Sequence, residues 1–180
     1  MKKTDSDLNK RLLRAISDLD LNNNPQRFIE PTDVQPLLRQ MDLLVDDSKK
    51  RQRKLLYKLG FVNRDLKSNI VRFQKMYSDY PSDVSRHNSE LAIANGRIIG
   101  DSINPVEGHM LDEQQLTSIA YDIRTRLVIA GAGSGKTTTL VGLVKHLLQS
   151  RKAKPSEILL LSFTNASVDE LRQRILKETD

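Results

Sequence analysis

The 180-residue sequence has no cysteine and no tryptophan, and aromatic residues make up only 4% of it. Without cysteine there are no disulfides, no thiolate metal ligands and no thiol nucleophile. The three histidines, His87, His109 and His146, are too far apart to form a metal-ligand pattern, so each reads as a surface or boundary residue. No apolar run approaches the length of a membrane span, and the opening "MKKTDSDLNK" has no apolar stretch behind its lysines. Neither a membrane anchor nor a secretory leader is expected, and the expected location is cytoplasmic. With so few aromatics the core must come mostly from Leu, Ile and Val, which 38% apolar content allows. What is plentiful is positive charge: 29 Lys and Arg stand against 23 Asp and Glu, a net charge of +6. That balance favours polyanionic partners such as nucleic acid without proving one.

Before residue 105 the pattern is helical, polar and low in glycine. Leu8, Leu12, Leu13, Ile16 and Leu19 predict a helix over about 5–20, stopped by "NNNP". Pro25, Pro31 and Pro36 predict an irregular stretch, after which Val34, Leu37, Leu38, Met41 and Leu44 restart a helix. "KKRQRKLLYKLGF" continues it to Gly60, and a further helix carries Leu66, Ile70, Val71 and Phe73 until "YPSD" at 80–83. The cluster Lys49, Lys50, Arg51, Arg53 and Lys54 fits a nucleic-acid contact, but better fits a solvated helix face with Leu55, Leu56 and Leu59 turned inward. "NGR", "IIGDSINP" and "EGH" mark turns within residues 84–110.

After residue 110 the pattern alternates. "LDEQQLTSIAYDI" reads as a helix, "RLVIAG" as a strand buried on both faces, and residues 136–149 as a helix. "ILLLSF" reads as a second buried strand and "NASVDELRQRIL" as a second helix. The expected fold class is therefore α/β: a helical N-terminal region, 1–105, followed over 106–180 by the start of an incomplete parallel-sheet domain.

Between the first strand and its helix lies "AGAGSGKTTTL". The phosphate-loop pattern is Gly, four residues, then Gly-Lys-Ser/Thr. Here Ala130 takes the first position, followed by Gly131, Ala132, Gly133, Ser134, Gly135, Lys136 and Thr137. Three glycines let the backbone curl so that several N–H groups point at one centre, and the following helix adds its N-terminal dipole. Lys136 would reach the β- and γ-phosphates, Thr137 would ligate Mg²⁺, and Thr138 lies where it could touch the α-phosphate.

The flanks narrow the function. A Gln beside the nucleotide selects adenine, because an amide can accept from N6 and donate to N7. Gln115 has a competing structural reading, since Asp112 followed three residues later by Gln115 resembles a capping box. Ser162, Phe163, Thr164 and Asn165 fall at the C-terminal end of the second strand, the edge where α/β sheets carry ligands. Phe163 either stacks on a base or fills the core, with Thr164 or Asn165 capping the next helix.

Taken together, Leu111 to Ile175 resembles the start of the RecA-like motor domain of UvrD/Rep-type superfamily 1 DNA helicases. "LDEQQ" looks like their Q motif, "AGAGSGKTTTL" their motif I, and "LLLSFTNASVDELRQRI" their motif Ia. "HN" at 87–88 and "EGHMLDEQQ" are similar to helicase IV-like members, which carry extra helical sequence before the motor. The resemblance implies that Gln115 reads adenine, that Gly133, Gly135, Lys136, Thr137 and Thr138 hold ATP and Mg²⁺, and that Phe163, Thr164 and Asn165 contact single-stranded or partly duplex DNA. Ala166 departs from the pattern, because motif Ia commonly has Lys there. The N-terminal helices are a candidate dock for a protein partner.

Hydrolysis needs a second acidic site. Asp169 and Glu170 are the only pair after the loop, and Val168, Leu171 and Ile175 around them have helical spacing, so both carboxylates read as an exposed helix face. The chain therefore reads as the front of a larger DNA helicase or translocase. Because its two apolar strands lack sheet neighbours, the segment after residue 124 is expected to be marginally ordered or aggregation-prone when isolated. The alternative is a non-catalytic module that binds ATP or nucleic acid. A P-loop kinase or GTPase ranks last, since no Asn-Lys-x-Asp element for guanine is present.

Overall fold

Apolar residues recur every three or four positions along three stretches: Leu8, Leu12, Ala15 and Leu19; Val34, Leu38, Met41 and Val45; Leu66, Ile70, Phe73, Tyr77, Tyr80 and Val84. That spacing places each set on one helix face. The computed structural model describes residues 2–58, 60 and 62–179. In it the first two stretches form α1 (Lys2–Asp18) and α2 (Pro31–Arg53). After the short α3 (Leu55–Lys58), the third lies on α4 (Arg64–Ile103). The chain divides into two compact units, Met1–Asn88 and Ser89–Asp180.

In the first unit the three stripes merge into one core, with Leu12, Ile70 and Phe73 fully buried. Each such side chain contributes roughly 1.5–3 kcal/mol relative to an exposed one. Toward the end of α2 the stripe turns polar. Buried Ser48 donates to Val45 O and accepts from Gln74, which in turn pairs with Gln52. Arg51, sequence-neighbour to four exposed cations, points inward instead and makes a bidentate ion pair with Asp5, both bonds 2.7 Å. The remaining cluster, Lys49, Lys50, Arg53 and Lys54, is exposed as a solvated face requires. Leu59 and the side chains of Leu55 and Leu56 lie outside the described residues.

Several predicted boundaries move. Pro31 opens α2, at the position where its missing N–H is not needed. Pro36 and Pro81 lie inside helices instead of ending or preceding them. An interior proline costs about 3 kcal/mol. Buried Tyr80 and Val84 straddle Pro81, and their burial outweighs that cost if the helix continues. α2 in turn stops at Lys54, earlier than Gly60, where the backbone becomes extended.

The loop before α2 is held by one side chain. Asn88, 1% exposed, accepts from Ile29 N at 2.9 Å and donates to Ile29 O at 2.7 Å. His87 Nε2 lies 3.0 Å from Arg27 O beside it.

The second unit contains α5 (Glu113–Ala120), α6 (Lys136–Gln149) and α7 (Asn165–Thr179), together with residues 89–103 of α4. Gly96 and Gly100, read from sequence as turn signals, are helical. A Cβ on Gly96 would come within 3.1 Å of the Leu116 and Thr117 backbone, and one on Gly100 within 2.8 Å of Leu116 Cδ1. They are glycine because α5 lies directly on them. A cis Asn104–Pro105 bond and a Val106–His109 turn follow α4, and Val106 is fully buried beside Ile103, Leu111, Ile119 and Val141. Two ion pairs tie that turn to α6 and α7: Arg174 with Glu107, and Lys145 with Glu178.

The expected α/β class is not what the chain adopts: among the described residues there is no strand and no sheet, and the fold is all-helical. The two segments expected to be buried strands run without ladder hydrogen bonds. Most of their side chains are open to solvent, Leu127 at 84%, Ile129 at 89%, Leu159 at 80% and Leu161 at 83%, while Leu160 packs against the core of the second unit. A strand exists only by pairing, and apolar composition alone supplies no partner for its N–H and C=O groups.

Three outcomes follow from this packing. Asn88→Ala should lower unfolding free energy by roughly 2–3 kcal/mol in urea titrations, because both polar groups of Ile29 lose their partner. Amides of residues 127–130 and 158–162 should exchange with deuterium far faster than those of α6, and equal protection would contradict the helical description. Glu107 and Glu178 are held below the ordinary carboxylate value of 4.5, chiefly by hydrogen bonds from Arg174 and Lys145. Depressed carboxyls stabilise the fold above that value and stop doing so as pH falls through their lowered folded-state values. Melting temperature should therefore drop on acidification below about pH 4.5, and Glu107→Gln should shrink that drop while lowering the neutral-pH melting point.

Candidate nucleotide-binding site

The site is built where α6 begins. Gly135 caps the helix in the left-handed region, at φ 79°, and Gly133 is also left-handed at φ 75°. A side chain on Gly135 would be strained and would also meet Gln115 Nε2 at 2.5 Å. Around Gly131 and Gly133 nothing lies within 4 Å of where a Cβ would be, so no neighbour crowds the loop there. Ser134 closes the curl by donating its hydroxyl to Gly131 O at 2.9 Å. The first turn of α6 is then locked by Thr139, whose N–H and hydroxyl both reach Gly135 O.

Lys136 bends back over this loop, its Nζ 3.2 Å from Ala130 O and 2.5 Å from Gly131 O. Its ammonium thus spans the mouth of the loop on two carbonyls that an anion can replace. Thr137 is exposed on the same turn, and Thr138 is partly covered. Ala132 is exposed on the loop. The sequence-assigned loop residues, 130–138, therefore come together as one surface.

Gln115 forms the capping box that its spacing predicts. Asp112 Oδ1 accepts from Gln115 N at 2.8 Å while Gln115 Oε1 accepts from Asp112 N at 2.9 Å, a complete capping box. Gln115 Nε2 also donates to Ser134 O at 3.3 Å, which ties the start of α5 to the loop. The amide keeps one lone pair and one N–H for another partner. A cleft of 540 Å³ opens beside it, lined by Gln115, Ile119, Val128, Ser134, Lys136 and Leu140 among others. Arg126, whose NH1 donates to the carbonyls of Ser118, Ile119 and Tyr121, caps the end of α5 at this cleft. Sequence reasoning had no means to find Arg126, since a capping arginine has no fixed offset.

At the start of α7, Thr164 is the cap: its Oγ1 accepts from Ser167 N at 3.2 Å. Asn165 is the first helical residue. Phe163 is fully exposed, so the core alternative for this ring does not hold. Asp169 and Glu170 are exposed on α7, and Glu170 accepts from Arg174 NH1 at 3.3 Å. Among the described residues no three acidic, His or Cys side chains gather as a metal site. His146 lines a cavity, where burial pushes its pKa below the ordinary value of 6.5. Among the described residues no helix is long and apolar enough to cross a membrane.

Residues 111–180 match the family described as the UvrD/REP helicase N-terminal domain. Over 102 residues the chain is 34% identical to DNA helicase IV of Escherichia coli, covering 57% of this chain and 15% of that protein. It is 37% identical over 67 residues to ATP-dependent DNA helicase UvrD1 of Mycobacterium leprae, covering 37% of this chain and 9% of that protein. A probable DNA helicase II homolog of Mycoplasma capricolum is 35% identical over 71 residues, which cover 39% of this chain and 10% of that protein. No solved structure matches. The matched stretches thus span about a tenth to a seventh of these relatives' own length. From Leu111 onward, the stretch that carries the capping box, the glycine loop and the α7 cap is similar to the N-terminal domain of UvrD/Rep-type helicases.

Proposed function

We propose that this chain binds ATP with Mg²⁺ on the loop from Ala130 to Thr138, as the nucleotide-binding part of a motor that moves on single-stranded DNA. The observation that carries this reading is the pair of left-handed glycines that turn the backbone into the N-terminus of α6 under the Lys136 ammonium. Free N–H groups of a helix start, an uncrowded loop and a mobile cation are what a triphosphate needs. The residues fit Mg²⁺ in the way phosphate-bound Mg²⁺ is usually held, by one hydroxyl, here Thr137, with the rest from phosphates and water. When bound, the ion would neutralise phosphate charge. The chain's own part is to orient: Lys136 exchanges two loop carbonyls for β- and γ-phosphate oxygens, and Thr138 offers its hydroxyl near the α-phosphate.

Adenine fits the 540 Å³ cleft beside Gln115, whose remaining lone pair and N–H can serve N6 and N7. The exposed Phe163 ring at the start of α7 supports stacking on a base, with Thr164 and Asn165 at the backbone.

The second reading, a module that binds ATP without turning it over, is favoured by the placement of Asp169 and Glu170 on an open helix face. For the 180-residue chain by itself we adopt it. ATP should bind, Lys136→Ala should weaken binding at least about ten-fold, the worth of one charge-assisted contact, and hydrolysis should stay at the buffer rate with or without single-stranded DNA. Turnover that DNA stimulates and Lys136→Ala abolishes would establish a working motor instead. Equal ATP binding by Lys136→Ala would remove the loop as the site.

A further inference from the structure

Arg174, well outside the loop, reaches into its first turn. Its Nε and NH2 form a fork on Glu107 at 2.5 and 2.6 Å, and NH2 also donates to Thr138 Oγ1 at 3.1 Å. NH1 is taken by Glu170. The acceptor end of the fork is itself fixed. Glu107 sits in the left-handed region at φ 53°, and its N–H donates to Glu178 Oε1 at 2.8 Å. Glu178 Oε2 in turn accepts from Lys145 Nζ, which also reaches Pro105 O, both at 2.9 Å. Arg174 and Glu107 meet at the Thr138 hydroxyl, and Lys145 and Glu178 brace Glu107 beside it; all four are partly covered.

Geometry decides what that hydroxyl can do. An arginine N–H can only donate, so Thr138 Oγ1 is the acceptor on the α7 side and its own hydrogen must point elsewhere. Two acceptors can take it: the Glu107 carboxylate, whose pKa the Thr138 hydroxyl helps to lower, and a phosphate oxygen at the helix start.

We propose that Arg174 is a positioning residue for the nucleotide: anchored by Glu107, it orients the Thr138 hydroxyl so that its proton is available to a phosphate oxygen at the start of α6. This rests on ATP binding at the loop. The Thr138 hydroxyl donates to the Glu107 carboxylate until phosphate arrives and then turns to the phosphate oxygen, while Glu107 keeps both bonds from Arg174. α7 thereby feels the occupancy of the loop through the side chain four residues after Glu170 and nine after Asn165. A lysine at 174 cannot reproduce this, because one ammonium lacks the planar fork that serves two carboxylate oxygens and a hydroxyl together.

The test is a double-mutant cycle on the full chain, reading ATP affinity by calorimetry and folding by thermal melting. Arg174→Lys and Thr138→Val should each weaken ATP roughly three- to ten-fold, about the worth of one hydrogen bond, and the double variant should be no weaker than either single. Glu107→Gln should act like Arg174→Lys. Glu178→Gln, which cuts the neighbouring ion pair but leaves the Arg174 fork, should lower the melting point while ATP affinity stays. Losses that multiply in the double variant, or affinity that simply follows melting point across the set, would show Arg174 to be a structural tie and overturn the proposal. ATP binding that Lys136→Ala abolishes but Arg174→Lys leaves intact would overturn it alone; no ATP binding by the unaltered chain would overturn it together with the nucleotide reading.

Discussion

The glycine loop is useful only because α6 is laid down at a fixed height, and that height is set by Gly142. A Cβ there would stand 3.0 Å from Leu111 Cδ1, 3.2 Å from Ile119 Cδ1 and 3.5 Å from Val106 Cγ2. Helix and floor meet at near-contact distance, with Val141 fully buried next to it. Interiors packed this closely transmit displacement without absorbing it. The turn through Val106, the N-terminal approach to α5 and the start of α6 are therefore one object. Gln115 can reach Ser134 because Leu111 and Ile119, on either side of it in sequence, are already seated under Gly142.

Above that apolar contact sits an electrostatic one. Arg174, Glu107, Lys145 and Glu178 bridge α7, the turn and α6 with opposite charges only. Burial of charge is costly unless geometry and hydrogen bonds compensate. Here no partner is fully buried and each carboxylate has more than one donor, so hydrogen bonds compensate for the charge that is covered. α7 is held at its C-terminal half by these pairs and by buried Leu171, while its N-terminal end carries Phe163 into solvent.

Features whose physics is local were legible in the sequence. The glycine loop, the capping box from Asp112 to Gln115 and the cap at Thr164 each need only a few adjacent residues, and each formed where its spacing placed it. Features that depend on a partner were not. Leu127 to Ile129 and Leu159 to Leu161 have strand composition, yet pairing is a property of neighbours, so composition misled. Gly96 and Gly100 look like turn residues until a second helix is known to lie on them. Pro81 looks like a stop until Tyr80 and Val84 are known to be buried. Arg51 read as one more surface cation, because nothing nearby in sequence announces Asp5, which lies 46 residues away.

The clamp at Asn88 has a further consequence. It grips Ile29 through that residue's own N–H and C=O, and His87 likewise meets only the carbonyl of Arg27. Main-chain groups are the same for nearly every amino acid, so the anchor is blind to which side chains the loop carries. Asn24, Gln26 and Arg27, all exposed, can be exchanged without loosening the attachment, whereas Asn22 and Asn23 hold the loop start through their own side chains. The first unit thus offers a stretch whose path is fixed and whose chemistry is open to change, the arrangement by which a surface acquires new specificity without refolding.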